Sequence, residues 1–119
     1  MLFRSLAGTE LQALRVEAFR IKLENAPAGL KIKYKTHVQT IGWQDWVYDG
    51  SLAGTEGKAL RVEALQIMLE GTDADKYRIE YQSHVQNEGW QAWVNGGQIS
   101  GTSGKALRIE AVRVKLVKK

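Results

Sequence analysis

The phrase SLAGTE stands at residues 5–10 and again, unchanged, at 51–56, and a looser copy, QISGTS, stands at 98–103. Each leads into one longer phrase: ALRVEAFRIKL from Ala13, ALRVEALQIML from Ala59 and ALRIEAVRVKL from Ala106. The glycines at positions 8, 54 and 101 are therefore 46 and 47 residues apart. A chain that repeats itself at such a period builds its fold from equivalent units, and each unit buries its apolar face only against its neighbours. A second half-motif occurs twice, as KIKYKTHVQTIGWQDWV from Lys31 and YRIEYQSHVQNEGWQAWV from Tyr77. The extra residue of the longer period lies in the connector before the second copy, which is expected to be a surface loop.

The repeated phrases read as strands. Ile32, Tyr34, Thr36 and Val38 alternate with Lys33, Lys35, His37 and Gln39, and the second copy sets Tyr77, Ile79, Tyr81, Ser83 and Val85 against Arg78, Glu80, Gln82, His84 and Gln86. Period two with β-branched and aromatic residues predicts a half-buried strand. In ALRVEALQIML, Leu60, Val62 and Ala64 share one face, and Leu65, Ile67 and Leu69 share the next. The apolar phase slips by one between Ala64 and Leu65, and likewise at Ala18–Phe19 and Ala111–Val112. A bulge or corner at each copy would keep both halves on the core. Glycines at 50, 54, 57, 96, 97, 101 and 104 mark turns between strands. Residues 1–119 thus form a single all-β domain, with a partial repeat over 5–24 and fuller repeats over 30–70 and 76–117. Three phrases in one small domain suit quasi-threefold closure of the β-prism or β-trefoil kind, with a two-sheet β-sandwich as the alternative.

Composition narrows the function classes. At 119 residues the chain has room for one modest core, and its 44% hydrophobic and 25% charged content is that of an ordinary globular protein. No apolar run is long enough to span a bilayer, so membrane insertion is not expected. The start MLFRSLAGTE does not read as a secretory signal, so the protein either is not exported by that route or is a piece of a longer chain. With no cysteine, disulfides and thiolate metal sites are excluded. The net charge of +4 gives mild attraction to anionic polymers, but the basic residues are scattered among acidic ones, which argues for solvated faces and against a nucleic-acid partner. No Ser/His/Asp grouping recurs between copies. Repeated weak sites are a binding design, and neither catalysis nor a cofactor is expected.

The ordered motifs HVQ-x-x-GWQ-x-WV, GT-x-x-x-ALR-[VI]-EA and the alternating apolar run after them closely resemble ChW repeats, and the likeness runs from Ser5 to Leu116. That resemblance implies a module of secreted or surface proteins of Gram-positive bacteria and of phage-type endolysins. It would attach to a cell-wall glycan or secondary wall polymer at the cell surface, beside a separate catalytic domain. The missing HVQ–GWQ half in the first copy leaves a third equivalent site in question. A protein–protein or self-assembly module, with the chain forming a homo-oligomer and the tryptophans as interface anchors, is the competing reading.

The candidate ligand contacts are His37, Gln39, Trp43, Gln44, Trp46 and Arg61, with their counterparts His84, Gln86, Trp90, Gln91, Trp93 and Arg108. Alternation beyond Gly42 puts Trp43 with Val47, and beyond Gly89 puts Trp90 with Ala92 and Val94, so these two indoles are expected to face the core. Trp46 and Trp93 fall beside Gln44, Gln91 and Asn95, where a ring is partly exposed and serves either a sugar face or interdomain packing. His37 and His84 are either satisfied by a neighbouring strand or donors to a glycan hydroxyl or phosphate; metal binding is not expected of them. The Arg15–Glu17, Arg61–Glu63 and Arg108–Glu110 pairs read as salt bridges, with an arginine fork onto an anionic polymer as the sharper option. Thr9, Thr55 and Thr102 are expected to close turns through their hydroxyls.

Overall fold

The alternation in Lys31–Val38 and Tyr77–Val85 gives two long strands, and the ALR phrases give the strands that pair with them. The structure, a computed structural model, describes residues 2–5, 10–14, 18–24 and 26–119. In chain order its strands are β1 (Leu2–Ser5), β2 (Glu10–Leu14), β3 (Ala18–Leu23), β4 (Lys31–Val38), β5 (Gly42–Trp43), β6 (Val47–Tyr48) and β7 (Ala53–Gly54). They continue with β8 (Val62–Glu70), β9 (Tyr77–Val85), β10 (Gly89–Trp90), β11 (Val94–Asn95), β12 (Ser100–Gly101) and β13 (Ile109–Lys118). A 3-10 turn, Ala74–Lys76, leads into β9. The fold is all-β, as the periodicity predicts.

The second and third copies of the ALR phrase each anchor a sheet; of the first copy, Ala18–Leu23 lies in a sheet of its own, while Ala13 and Leu14 belong to β2 in the third sheet. The first sheet runs β1-β3-β7, the second β12-β8-β4-β5 with β6 also on β4, and the third β10-β9-β13-β2 with β11 also on β9. The long pairs β4–β8 and β9–β13 are antiparallel, whereas β1 lies parallel to β3. The SLAGTE copy of one unit docks on the phrase of the unit before it: β7 pairs β3, and β12 pairs β8. Gly101 shows why glycine stands there. Its φ is +99°, and a Cβ would come within 2.5 Å of the Glu63 carbonyl oxygen and 2.8 Å of the Ala64 Cα. Gly54 and Gly101 thus belong to short strands and not to turns, a correction to the turn reading.

The inward residues of the three sheets meet in one core. Phe19 and Ile21, Ile32 and Tyr34, Val62, Leu65 and Ile67, Ile79 and Tyr81, and Ile109, Val112, Val114 and Leu116 are all at most 2% exposed. Burying an aliphatic or aromatic side chain of this size stabilises by about 1.5–3 kcal/mol. The expected slip in phase exists and has a definite position. His37 pairs with Ala64, but Val38 pairs with Val62, so Glu63 is the extra residue of a bulge. In the third sheet the register likewise shifts between Ile109 and Ala111, at Glu110. The slip therefore falls one residue before the position expected from apolar spacing, at the glutamate. The first copy of this bulge, with Arg15, Glu17 and Thr9, lies outside the described residues.

Candidate functional site

Strand β4 turns back on itself through Gln39, Thr40 and Ile41. Val38 pairs with Gly42, and the Ile41 N–H donates to the Val38 carbonyl at 3.1 Å. This closure puts Trp43 directly opposite His37, and in the second copy Trp90 directly opposite His84. Directly opposed residues of an antiparallel pair share a face. The histidines belong to the outer face, so the tryptophans do too. Trp43 is half-buried and Trp90 is 36% exposed. The expectation that Trp43 and Trp90 face the core is therefore wrong: hairpin register overrides alternation counted forward from the glycine. The N–H groups of Gln44 and Gln91 still donate to the Thr36 and Ser83 carbonyls at 2.9 Å, and beyond them Trp46 comes under Lys33 and Lys35 and Trp93 under Lys115, on the same outer face. The two tryptophans of each copy are thus neighbours on one surface.

The bulged glutamate organises the polar part of this surface. His37 Nδ1 lies 3.1 Å from Glu63 Oε1, and Arg61 Nε donates to Glu63 Oε2 at 3.0 Å. The second copy repeats the arrangement more loosely, with His84 Nδ1 at 3.3 Å from Glu110 Oε1 and an Arg108 guanidinium nitrogen at 3.5 Å from Glu110 Oε2. The carboxylate fixes the imidazole through Nδ1, so the ring stands edge-on to its tryptophan, with centroids 5.4 Å apart for His37–Trp43 and 5.3 Å for His84–Trp90. The salt-bridge reading of Arg61 and Arg108 is found in the structure, and both histidines are satisfied by a neighbouring strand.

The glutamines serve as braces. Gln44 Oε1 accepts the Gly54 N–H at 2.9 Å and the Thr36 hydroxyl at 3.1 Å. Gln91 Oε1 accepts the Gly101 N–H at 2.7 Å. Gln39 and Gln86 accept the N–H of Arg61 and Arg108 at 3.3 and 3.4 Å. All four side-chain oxygens are engaged by the fold, which ties the GWQ hairpin to the GT strand of the same unit and steadies the arginine. The hydroxyls of Thr55 and Thr102, expected to close turns, are buried and make no hydrogen bond.

Four residues outside the expected set complete the two faces. Lys35 Nζ lies 5.4 Å from the Trp43 ring centroid and 4.8 Å from that of Trp46, with Lys33 Nζ 5.0 Å from Trp46. In the second copy the Arg113 guanidinium lies 4.0 Å from the Trp90 centroid and Lys115 Nζ 4.6 Å from Trp93. These are cation–π distances. The signal for Lys33 and Lys35 was visible, since they share the outer face with His37. Nothing in the alternation of β13 tied Arg113 and Lys115 to tryptophans more than 20 residues earlier in the sequence. Among the described residues no group of three His, Asp or Glu stands close enough to hold a metal ion.

Compared with known proteins, the chain matches no curated protein and no solved structure. The sequence profile of one family, described as ChW, Clostridial hydrophobic W, matches residues 4–25, 37–71 and 84–118. The second and third matched segments each contain a whole cluster: histidine, both tryptophans, arginine and bulged glutamate. These three segments cover most of the sequence, and the chain belongs to the ChW family.

Proposed function

We propose that the chain is a non-catalytic binding module that attaches to a glycan or secondary polymer of Gram-positive cell walls and holds an associated enzyme, such as a peptidoglycan hydrolase, at that surface. The observation that carries this reading is the gathering of two tryptophans beside a braced histidine on an outer sheet face, twice in one chain. An indole offers a flat apolar surface to the C–H side of a sugar ring, while imidazole and guanidinium groups bond its substituents. Two such faces on one polymer multiply weak contacts, by roughly a hundredfold to ten-thousandfold when geometry permits. Its working location is then outside the cell, on the wall.

Co-sedimentation of the purified chain with Gram-positive walls tests the reading. The wild-type chain is expected to pellet with walls, and Trp46→Ala with Trp93→Ala is expected to stay in the supernatant while keeping the far-UV spectrum and mass of the parent. A wild-type chain that pellets with no wall, and a double variant that changes only oligomer mass, would instead support self-assembly. The exposed Ile41, Tyr48 and Ile99 would then be the surface to probe.

A further inference from the structure

We infer that the two tryptophan faces select an acidic polymer, and that the cation held over each indole pair is what reads its charge. The inference rests on the wall-binding reading and names the ligand class for the same faces.

The two copies differ in which strand carries the cations. In the second sheet the cations stand on β4: Lys35 pairs with Gln66 and Lys33 with Met68 across the ladder to β8. In the third sheet the cations at the same two ladder positions stand on the other strand. Gln82 of β9 pairs with Arg113 of β13, and Glu80 pairs with Lys115. Each copy thus keeps a cation over its first tryptophan and another over its second, but supplies them from opposite strands of the pair. A charge that merely solvated a strand would not have to stay over the indoles when it moved to the other strand. The positional exchange with conserved placement marks the cation over the ring as the feature in use.

The cations also bear on what the rings can hold. An ammonium near 5 Å from a ring centroid stands over that face, so a neutral sugar would have to displace it, whereas an anionic oxygen would bridge to it beside the ring. Lys35 is the clearest case. It contacts two indoles and, among the described residues, forms no ion pair with a carboxylate. Each face has one cation held by a carboxylate: Lys33 lies 3.4 Å from Glu70 on the first, and Lys115 lies 3.3 Å from Glu80 on the second, where Glu80 also bonds Arg78 at 2.6 Å. Lys35 is therefore the cation of the first face left to meet a ligand's charge. The ligand's charge is a phosphodiester or a carboxylate on a polyol or sugar backbone, the chemistry common to acidic wall polymers.

The test is a tryptophan-fluorescence titration of the full chain with three probes at low and high salt: a polyglycerol phosphate, a polygalacturonate and an uncharged chitooligosaccharide. One or both charged polymers are expected to bind, with affinity falling as salt rises, and the one that binds identifies the charge. Lys35→Gln, which installs the residue already present at position 82, is expected to weaken that binding roughly tenfold. Lys35→Gln with Gln66→Arg, which copies the second sheet's arrangement, is expected to restore it. Tight, salt-independent binding of the neutral oligosaccharide, unchanged in Lys35→Gln, would overturn the inference and leave the wall-binding reading standing. So would a folded double variant that fails to recover. Binding of no probe and of no wall would overturn both.

Discussion

The Tyr81 hydroxyl accepts the backbone N–H of Ile67 at 3.2 Å and donates to the carbonyl of Gln98. One unit earlier, Tyr34 accepts from Ile21 at 3.0 Å and donates to Ser51. Each tyrosine stands at the middle of one sheet and reaches into the sheet of the preceding ALR phrase, so a phenol at 0% exposure is the polar fastener between units. Its ring fills the core while its oxygen satisfies a backbone donor and acceptor that neither sheet pairs. Tyr81→Phe keeps the ring and strands both backbone groups. The expected loss is about 1–3 kcal/mol, seen as a lower urea midpoint with unchanged slope, and Tyr34→Phe should behave alike.

The same burial makes the fold sensitive to alkali. Burial pushes the Tyr34 and Tyr81 phenols above their ordinary value, outweighing the backbone hydrogen bonds from Ile21 and Ile67. Because the folded chain holds these protons more tightly, their contribution is complete below the unfolded tyrosine pKa of about 10 and is lost as pH rises through the folded value. Urea midpoints measured upward from about pH 9 should therefore fall once the unfolded chain begins to ionise. Tyr81→Phe should flatten that fall, and a slope unchanged in this variant would assign the effect elsewhere.

What could be read in the sequence divides along physical lines. Alternation in Lys31–Val38 is a local property, and it gave the inward set Ile32, Tyr34, Thr36 and Val38 correctly, each at 0% exposure. The slip in phase was also local, and it appears as a bulge. Its exact seat at Glu63 and Glu110 is not legible locally, because a glutamate in an apolar run looks like a polar interruption until its histidine and arginine partners are placed. Trp43 departs from its expected face for a different reason. Alternation counted forward from Gly42 predicted an inward ring, whereas counting back across the hairpin from the Val38–Gly42 pair puts it opposite His37. Arg113 and Lys115 depend on the pairing of β13 with β9, a contact between separate units that no local pattern contains. The N-terminal strands are the converse case: β1 pairs parallel with β3, and nothing in the repeat foretells it.

The hairpin between Val38 and Gly42 carries strain that the second copy avoids. Thr40 has φ +65°, and its counterpart Asn87 has φ +67°. This left-handed region is tolerated by asparagine and disfavoured for a β-branched residue. Thr40→Asn should stabilise the fold by several tenths to about 1 kcal/mol, despite loss of the exposed bond from the Thr40 hydroxyl to the Gln39 carbonyl. Asn87→Thr should cost a similar amount. Thermal midpoints of the two single variants should therefore move in opposite directions, and movement of both downward would show that the local hydroxyl bond dominates.

Glu63 and Glu110 offer a comparison within one molecule of how burial changes the worth of an ion pair. Both occupy the bulge and both bind a histidine and an arginine, but the Glu63 side chain is 8% exposed with contacts of 3.0 and 3.1 Å, whereas that of Glu110 is 34% exposed with contacts of 3.3 and 3.5 Å. Removing a buried carboxylate leaves its partners uncompensated, while an exposed pair is screened by water and contributes little. Glu63→Ala should cost about 1–3 kcal/mol and Glu110→Ala no more than about 1 kcal/mol. Added salt should lessen the second loss more than the first. Both variants release the imidazole from its edge-on setting against the indole, so both should change the intrinsic tryptophan emission, whatever their effect on stability. Equal losses from the two substitutions would mean that the bulge geometry, and not the burial of its carboxylate, is what the glutamate supports.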